Sequence, residues 1–445
     1  MDERKLLELI EGKKYAQIKN ELSEMNEVDV AELLDPLDAH LTLLIFRMLP
    51  KDLAVEVFAH FSTEQQLGII NSITDKEVEY IVDELFFDDM IDLIEEMPAN
   101  IVKKILKSAK EEERKLINQF LKYPVDSAGS IMTIEYVELR KGLTVKEALT
   151  HIKEIGLNKE TVYTCYVTDQ KRTLEGFVSL RTLVTSDEDK IIEDIMEDEV
   201  IKVYTHDDQE SVANVFIKYG FLALPVVDNE NRLTGIITVD DIMDIMEQEA
   251  TEDFQIMAAM SPSEEAYLDA GVMTLAKNRL PWLLILMISA TFTGRIMGKF
   301  EDVLSSIVVL STFIPMLMDT GGNSGSQSST LIIRGLATGE ITTHDWWKVL
   351  WKELRISAIV GVVLAVINFL RIILLEKVEM KVALTVSLTV VITVIASKIV
   401  GGILPLIAKK LKLDPAIMAG PLITTIVDAL ALIVYFSIAK SLLGI

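Results

Sequence analysis

Gly420-Pro-Leu-Ile-Thr-Thr-Ile-Val-Asp428 is the stretch whose reading decides the fold class. It lies inside the apolar run 415–440, long enough to cross a bilayer as one helix, and Asp428 is the acid within it. An ionisable side chain inside a membrane helix is costly, so it points to function before structure. At 3.6 residues per turn Pro421, Thr424, Thr425 and Asp428 fall on one face. That face presents hydroxyl and carboxylate oxygens, the hard ligands that a cation of the Ca2+ or Mg2+ class prefers. The structural alternative pairs Asp428 with a buried base, for which Arg295, Arg371 and Lys398 are the candidates.

Further apolar runs lie upstream at 303–318, 356–370 and 382–397. With a shorter one near 277–297 they give five expected spans: 277–297, 303–333, 355–375, 381–408 and 415–440. The second span carries a polar row, Asp319, Asn323, Gln327, Thr330 and Arg334, spaced by three or four. Around it runs Gly321-Gly-Asn-Ser-Gly-Ser-Gln-Ser-Ser-Thr330, whose small residues would also let helices approach closely. Close packing does not require the polar residues to share one side; a water-filled path does.

The 445 residues divide sharply in charge. Residues 271–445 hold 16 Lys and Arg against 10 Asp and Glu, while residues 1–270 hold 27 against 58. An overall net charge of −25 excludes nucleic acid as a partner, because no basic stripe is available. An odd number of spans puts the termini on opposite sides. Nine Lys and Arg of the loops fall on the N-terminal side and six on the other, which places the acidic half in the cytoplasm and the C-terminus outside. Residues 1–15 are charged and show no secretory leader. Cys165, the one cysteine, excludes a disulfide framework and a multi-thiolate metal site.

Within the acidic half, residues 1–125 read as a run of short helices. Ser62-Thr-Glu-Gln65 and Thr74-Asp-Lys-Glu77 match capping boxes, and helix starts recur about every 12 residues from Pro50 to Pro98. Such a spacing fits a small helical solenoid or an ordinary helical domain. Residues 126–248 repeat internally. Tyr166-Val-Thr-Asp169 and Leu174-Glu-Gly-Phe-Val-Ser-Leu-Arg181 align at an offset of 59 with Pro225-Val-Val-Asp228 and Leu233-Thr-Gly-Ile-Ile-Thr-Val-Asp240. Each copy reads strand, helix, strand, turn, strand, helix, and the pair resembles tandem CBS modules. The resemblance implies an adenine-nucleotide site. Thr238-Val-Asp-Asp241 keeps the acid that would bond a ribose hydroxyl, whereas Ser179-Leu-Arg-Thr182 lacks it, so ATP, if bound, is expected near Arg181.

Pro315-Met-Leu-Met-Asp-Thr-Gly-Gly-Asn-Ser-Gly-Ser-Gln-Ser-Ser-Thr330 and Asp414-Pro-Ala-Ile-Met-Ala-Gly-Pro-Leu-Ile-Thr-Thr-Ile-Val-Asp428 resemble the signatures of the MgtE-type magnesium channels. The order of parts is similar over the whole chain: a helical N domain at 1–125, a CBS pair at 126–248, an acidic connecting helix at 249–276 and a five-helix transmembrane domain at 277–445. The resemblance implies a homodimer in the lipid of the inner membrane, with Mg2+ as substrate and regulator. Its pore would be lined by the second and fifth spans, with Asp428, Thr424, Thr425 and Asn323 at the selectivity site. It also assigns regulatory Mg2+ to Asp88 and Asp92 of the N domain, Glu210 of the second CBS copy, Asp241, Asp244, Glu249, Glu252 and Asp253 of the acidic segment, and Asp414 at the inner mouth. After Lys218-Tyr219 the family often has an acid; this chain has Gly220. Seven acids in residues 240–253, with no Lys or Arg, would repel until a cation bridges them, and the bridged state would hold the pore shut.

Two other readings stand beside this one: a transporter or exporter of another divalent cation, and a membrane-anchored CBS protein that senses nucleotide. An enzyme is not expected, since the sequence shows no nucleophile–base pair or metal triad. The five histidines are scattered and read as solvated or packed, and Trp282, Trp346, Trp347 and Trp351 flank span ends as interfacial anchors.

Overall fold

The computed structural model describes residues 1–263, 267–268 and 270–444. The chain forms two compact units, Met1–Ile245 and Met246–Ile445.

The first unit opens with a ladder of ten helices among its described residues: α1 Glu3–Glu11, α2 Tyr15–Leu22, α3 Glu27–Leu34, α4 Ala39–Phe46, α5 Lys51–Ala59, α6 Thr63–Ser72, α7 Asp75–Glu84, α8 Phe87–Glu96, α9 Ala99–Ser108 and α10 Glu111–Phe120. Their starts fall 12 residues apart along the whole run, from Glu3 to Glu111. Both expected capping boxes form, with Thr74 N donating to Glu77 Oε2 at 2.7 Å and Ser62 N to Gln65 Oε1 at 3.3 Å. Helices this short do not hold alone. Alternate members stack, α3 on α5, α5 on α7 and α7 on α9, and bury Ile45, Phe58, Ile70, Ile81, Ile91 and Ile105 in one core.

Two three-stranded sheets follow. The first holds β1 Val137–Leu139, β2 Thr164–Thr168 and β3 Leu174–Ser179, with α11 Val145–Ile155 and α12 Leu180–Thr185. The second holds β4 Val203–Tyr204, β5 Ala223–Val227 and β6 Leu233–Thr238, with α13 Gln209–Tyr219 and α14 Val239–Met257. In each the first pair is parallel and the second antiparallel. Even the irregularity repeats, between Val167 and Thr168 and between Val226 and Val227. Gly176 and Gly235 occupy equivalent places, where a Cβ would stand 2.7 Å from the Glu197 carbonyl and 2.6 Å from the Thr133 carbonyl. Only glycine lets these segments cross so closely.

The second unit contains α15 Val272–Lys299, α16 Glu301–Ser306, α17 Ile314–Ala337, α18 Trp346–Arg371, α19 Met380–Lys410 and α20 Gly420–Leu443. Among the described residues four segments are long and apolar enough to cross a membrane: Val272–Lys299, Thr343–Glu376, Met380–Lys410 and Pro415–Leu443. α17, with 24 residues, is about 36 Å long, enough to span, but its glycines, serines and polar row keep its composition below that standard. The expected continuous span at 303–333 is corrected: the chain breaks at Ile307 and passes through a 3-10 segment, Val308–Phe313, before α17 begins. The acidic helix also differs from the expected 249–276. α14 grows directly out of β6 and ends at Met257, where Ala259 takes a positive φ of 55°.

Candidate functional site

α17 divides its residues by face. Gly321, Gly322, Gly325, Ser324, Ser328 and Ser329 are buried; Asp319, Asn323, Gln327, Thr330 and Arg334 are exposed on the single chain. Close packing and the polar row therefore both exist, on different sides of one helix. A Cβ on Gly321 would stand 2.8 Å from Val427, one on Gly322 2.8 Å from Thr424, and one on Gly325 2.7 Å from Ile423. These glycines bring α20 against α17 and set Thr424 beside it. Ser329 Oγ donates to the Met418 carbonyl at 2.5 Å and ties the segment before α20 to the same helix.

The hydroxyls of Thr424 and Thr425 donate one turn back, to Gly420 O and Pro421 O, each at 2.9 Å. Their protons are thus spent on the helix and their lone pairs are left to accept or ligate. Asp428 is half-buried, and its Oδ1 is buried with no hydrogen-bond partner. The three candidate bases are engaged elsewhere. Arg371 donates to Asn368 and meets Glu376 at 2.9 Å, Arg295 lies over the Phe292 ring, and Lys398 reaches Ser324, Gln327 and Ser328. Asn323 donates to Asp319 Oδ1 at 3.1 Å along the polar row of α17. An orphaned carboxylate oxygen on a helix that also carries two hydroxyl oxygens within a turn of it has the donor chemistry a cation takes.

In the first unit a second set of acids meets. α8 carries Asp88, Asp89 and Asp92; Asp241 lies in the first turn of α14; Glu160 precedes β2. Burial pushes the Asp88 carboxyl up to about 9, aided by the charges of Asp241, Asp89 and Glu160. Burial likewise raises Glu160 to about 7, with Asp241, Asp240 and Asp89 adding, and Asp241 to about 6 against the opposing hydrogen bond from Thr238 Oγ1 at 2.6 Å. Asp92 is raised to about 7 by partial burial, with the charges of Asp89, Asp241, Glu95 and Glu96 adding, but the residue is exposed at the rim, where water screens it more than Asp88. Glu160 Oε2 is buried without a hydrogen-bond partner. Asp88, Asp92 and Asp241 thus lie in one set with Asp89 and Glu160. No motif marks those two; only the packing of α8 on the CBS pair brings them in.

Asp244 is exposed one turn after Asp241, and Glu249, Glu252 and Asp253 lie on the part of α14 within the second unit. Glu210 is in the first turn of α13, its backbone N–H bonded to Asp208. Asp414 caps the 3-10 segment before α20 through Ala416 N at 2.8 Å. Among the described residues no three His, Cys, Asp or Glu side chains form a ready-made metal cage. Mg2+ does not require one, since it keeps several waters and takes one or two carboxylates. Gly220 ends α13 in the left-handed region, φ 67°, which explains glycine there in place of an acid.

The CBS pair also holds a cleft of about 770 Å³, lined by Tyr163, Ser179, Arg181, Glu199, Phe221 and Leu222 among others. Arg181 is where the sequence expects nucleotide. Asp241, the acid retained in the second copy, is instead held by Thr238 within the acid set. Thr182, which replaces that acid in the first copy, bonds Ser179.

Comparison with known proteins agrees with this layout. Residues 314–438 match the family profile described as a divalent cation transporter, residues 25–126 the MgtE intracellular N domain and residues 192–248 the CBS domain. The magnesium transporter MgtE of Thermus thermophilus is 35% identical over 438 residues, covering 96% of this chain and 95% of that one. That of Bacillus subtilis is 32% identical, covering 98% and 96%. Among solved structures, the soluble part of a magnesium transporter covers 56% of this chain at 30% identity and a TM-score of 0.52. The cytosolic domain of the Mg2+ channel MgtE in complex with ATP covers 54% at 34% identity and the same TM-score.

Proposed function

Because the chain belongs to the MgtE family of magnesium transporters, we propose that it is a Mg2+-selective channel of the inner membrane, closed by cytosolic Mg2+. The observation that carries this reading is the unpartnered Asp428 oxygen on α20, the helix that the glycines of α17 hold at close range. α17 then serves as a fifth span. Its exposed polar row is unsuited to lipid, so the pore forms where two copies of the chain bring these rows together. Asp428, Thr424, Thr425 and Asn323 line it, with Asp319 as an additional carboxylate. The N-terminal domains are cytoplasmic and the C-terminus lies outside.

Regulation follows from charge. Asp88, Asp92 and Asp241, with Asp89 and Glu160, hold carboxylates close together in surroundings that resist ionisation. Bound Mg2+ supplies the positive charge that lets them ionise together. The N domain, the CBS pair and the acidic segment with Asp244, Glu249, Glu252 and Asp253 are then drawn into the closed arrangement, because the ion favours the state in which it has more ligands. Glu210 and Asp414 belong to the same regulatory set. ATP binds in the cleft at Arg181, a reading supported by the ATP complex of the related cytosolic domain. The test is divalent uptake into proteoliposomes with competing ions. Uptake of Mg2+ that other divalent ions neither replace nor match supports the reading; equal transport of several divalent ions favours a broad cation transporter.

A further inference from the structure

A lysine and a glutamate are buried together behind the polar face of α17. Lys398 of α19 is 5% exposed and Glu353 of α18 is 6% exposed. Ser328 of α17 stands between them: its hydroxyl donates to Glu353 Oε2 at 2.6 Å and accepts from Lys398 Nζ at 3.4 Å. The ammonium also reaches the Ser324 carbonyl and Gln327 Oε1, each at 3.5 Å. Gln327 is exposed one turn from Asn323, so Lys398 puts its charge one side chain behind the row that lines the proposed pore.

Two glycines make room for this arrangement. A Cβ on Gly401 would stand 2.2 Å from the Gly325 carbonyl, and one on Gly402 would stand 3.0 Å from Glu353 Cγ. α19 thereby lies against α17 closely enough for the lysine to reach across. Its positive charge would repel a permeating cation, and Glu353 is the opposite charge placed to cancel that field. The cancellation matters more for a divalent ion. A potential that changes the occupancy of a singly charged ion by a given factor changes that of a doubly charged ion by the square of the factor.

We propose that Lys398 and Glu353 form a charge-compensated pair, joined through Ser328, whose balance sets the preference of the pore for doubly over singly charged cations. The proposal rests on the reading of α17 as pore lining. Glu353→Gln leaves the ammonium uncompensated, and Lys398→Met leaves the carboxylate so. Purified full-length variants in planar bilayers give unitary conductances with Mg2+ alone and with Na+ alone in divalent-free solution. Glu353→Gln should lower Mg2+ conductance on the order of tenfold and Na+ conductance about threefold, the square-root relation expected of a fixed charge. Lys398→Met should move the Mg2+ to Na+ ratio the other way. The double variant should bring it back to within about twofold of wild type, as coupled charges require. An unchanged ratio in Lys398→Met, or a double variant as far from wild type as either single one, overturns the proposal and leaves the pair a structural brace. Lys398→Met decides the matter even if Glu353→Gln fails to fold. Wild-type protein that carries no Mg2+ would instead defeat the channel reading itself.

Discussion

Neutralising one carboxyl, Asp88→Asn, tests the acid set of the first unit. In the fold the Asp88 carboxyl stands at about 9, whereas in an unfolded chain an aspartate titrates near 4. A carboxyl raised in this way contributes stability that is complete below its unfolded value and is lost as pH rises towards its folded value. Within that window each pH unit costs about 1.4 kcal/mol for one such group. From pH 5 to pH 7 the share of Asp88 is about 2.7 kcal/mol, a hundredfold in an opening equilibrium. Glu160, at about 7, and Asp241, at about 6, add over the lower part of the same window. The whole stability of a domain is only about 5–15 kcal/mol, so the effect is large enough to measure. Hydrogen exchange across α8 in the full-length protein, corrected for the intrinsic pH dependence of exchange, reads it directly. In chelator, wild-type protection should fall by more than a hundredfold between pH 5 and pH 7, the hundredfold of Asp88 and the added shares of Glu160 and Asp241. Asp88→Asn should fall about a hundredfold less than wild type over the same range. Excess Mg2+ at pH 7 should restore the wild type, since a ligand at a hundred times its dissociation constant contributes about 2.7 kcal/mol. Wild-type protection that stays level or rises with pH in chelator would refute the reasoning.

Three further outcomes follow from named contacts. Gly401→Ala drives a methyl into the Gly325 carbonyl 2.2 Å away and should lower stability by about 1–3 kcal/mol, read as an earlier melt in detergent. Arg181→Ala should weaken ATP binding roughly tenfold by calorimetry at fixed Mg2+, the loss of one charge-assisted contact, while Thr182→Asp should not weaken it. Replacing Asp241, Asp244, Glu249, Glu252 and Asp253 together by Ala or Asn should leave the channel conducting at Mg2+ levels that shut the wild type; closure over the same range would place the gate elsewhere.

Local signals carried the architecture. The boxes at Ser62 and Thr74 announced the helical ladder because caps are made by residues three apart in sequence. The offset of 59 announced the paired sheets because each copy folds by the same short-range pattern, down to its irregularity beside Val167 and Val226. Asp428 stood out because a charge in an apolar run has no ordinary explanation. What escaped was set by contacts between distant segments. Glu160 and Asp89 look like surface acids until α8 packs on the CBS pair. Lys398 read as a possible partner of Asp428, but the close approach of Gly401 to Gly325 delivers it to Ser328 and Glu353 instead. The helix break at Ile307 was hidden because 303–318 carries no charged residue, and no glycine or proline marks the break before Pro315.

Mg2+ uptake by proteoliposomes containing wild type, Asp428→Ala or Asp428→Asn bears most directly on the account. Wild-type vesicles should take up Mg2+. Asp428→Ala, folded and reconstituted to the same density, should fall to the background of protein-free vesicles. Asp428→Asn, which keeps the bulk and one oxygen but not the charge, should lose flux or selectivity. Wild-type uptake by the Asp428→Ala protein would contradict the claim that this carboxylate is the cation station of the pore.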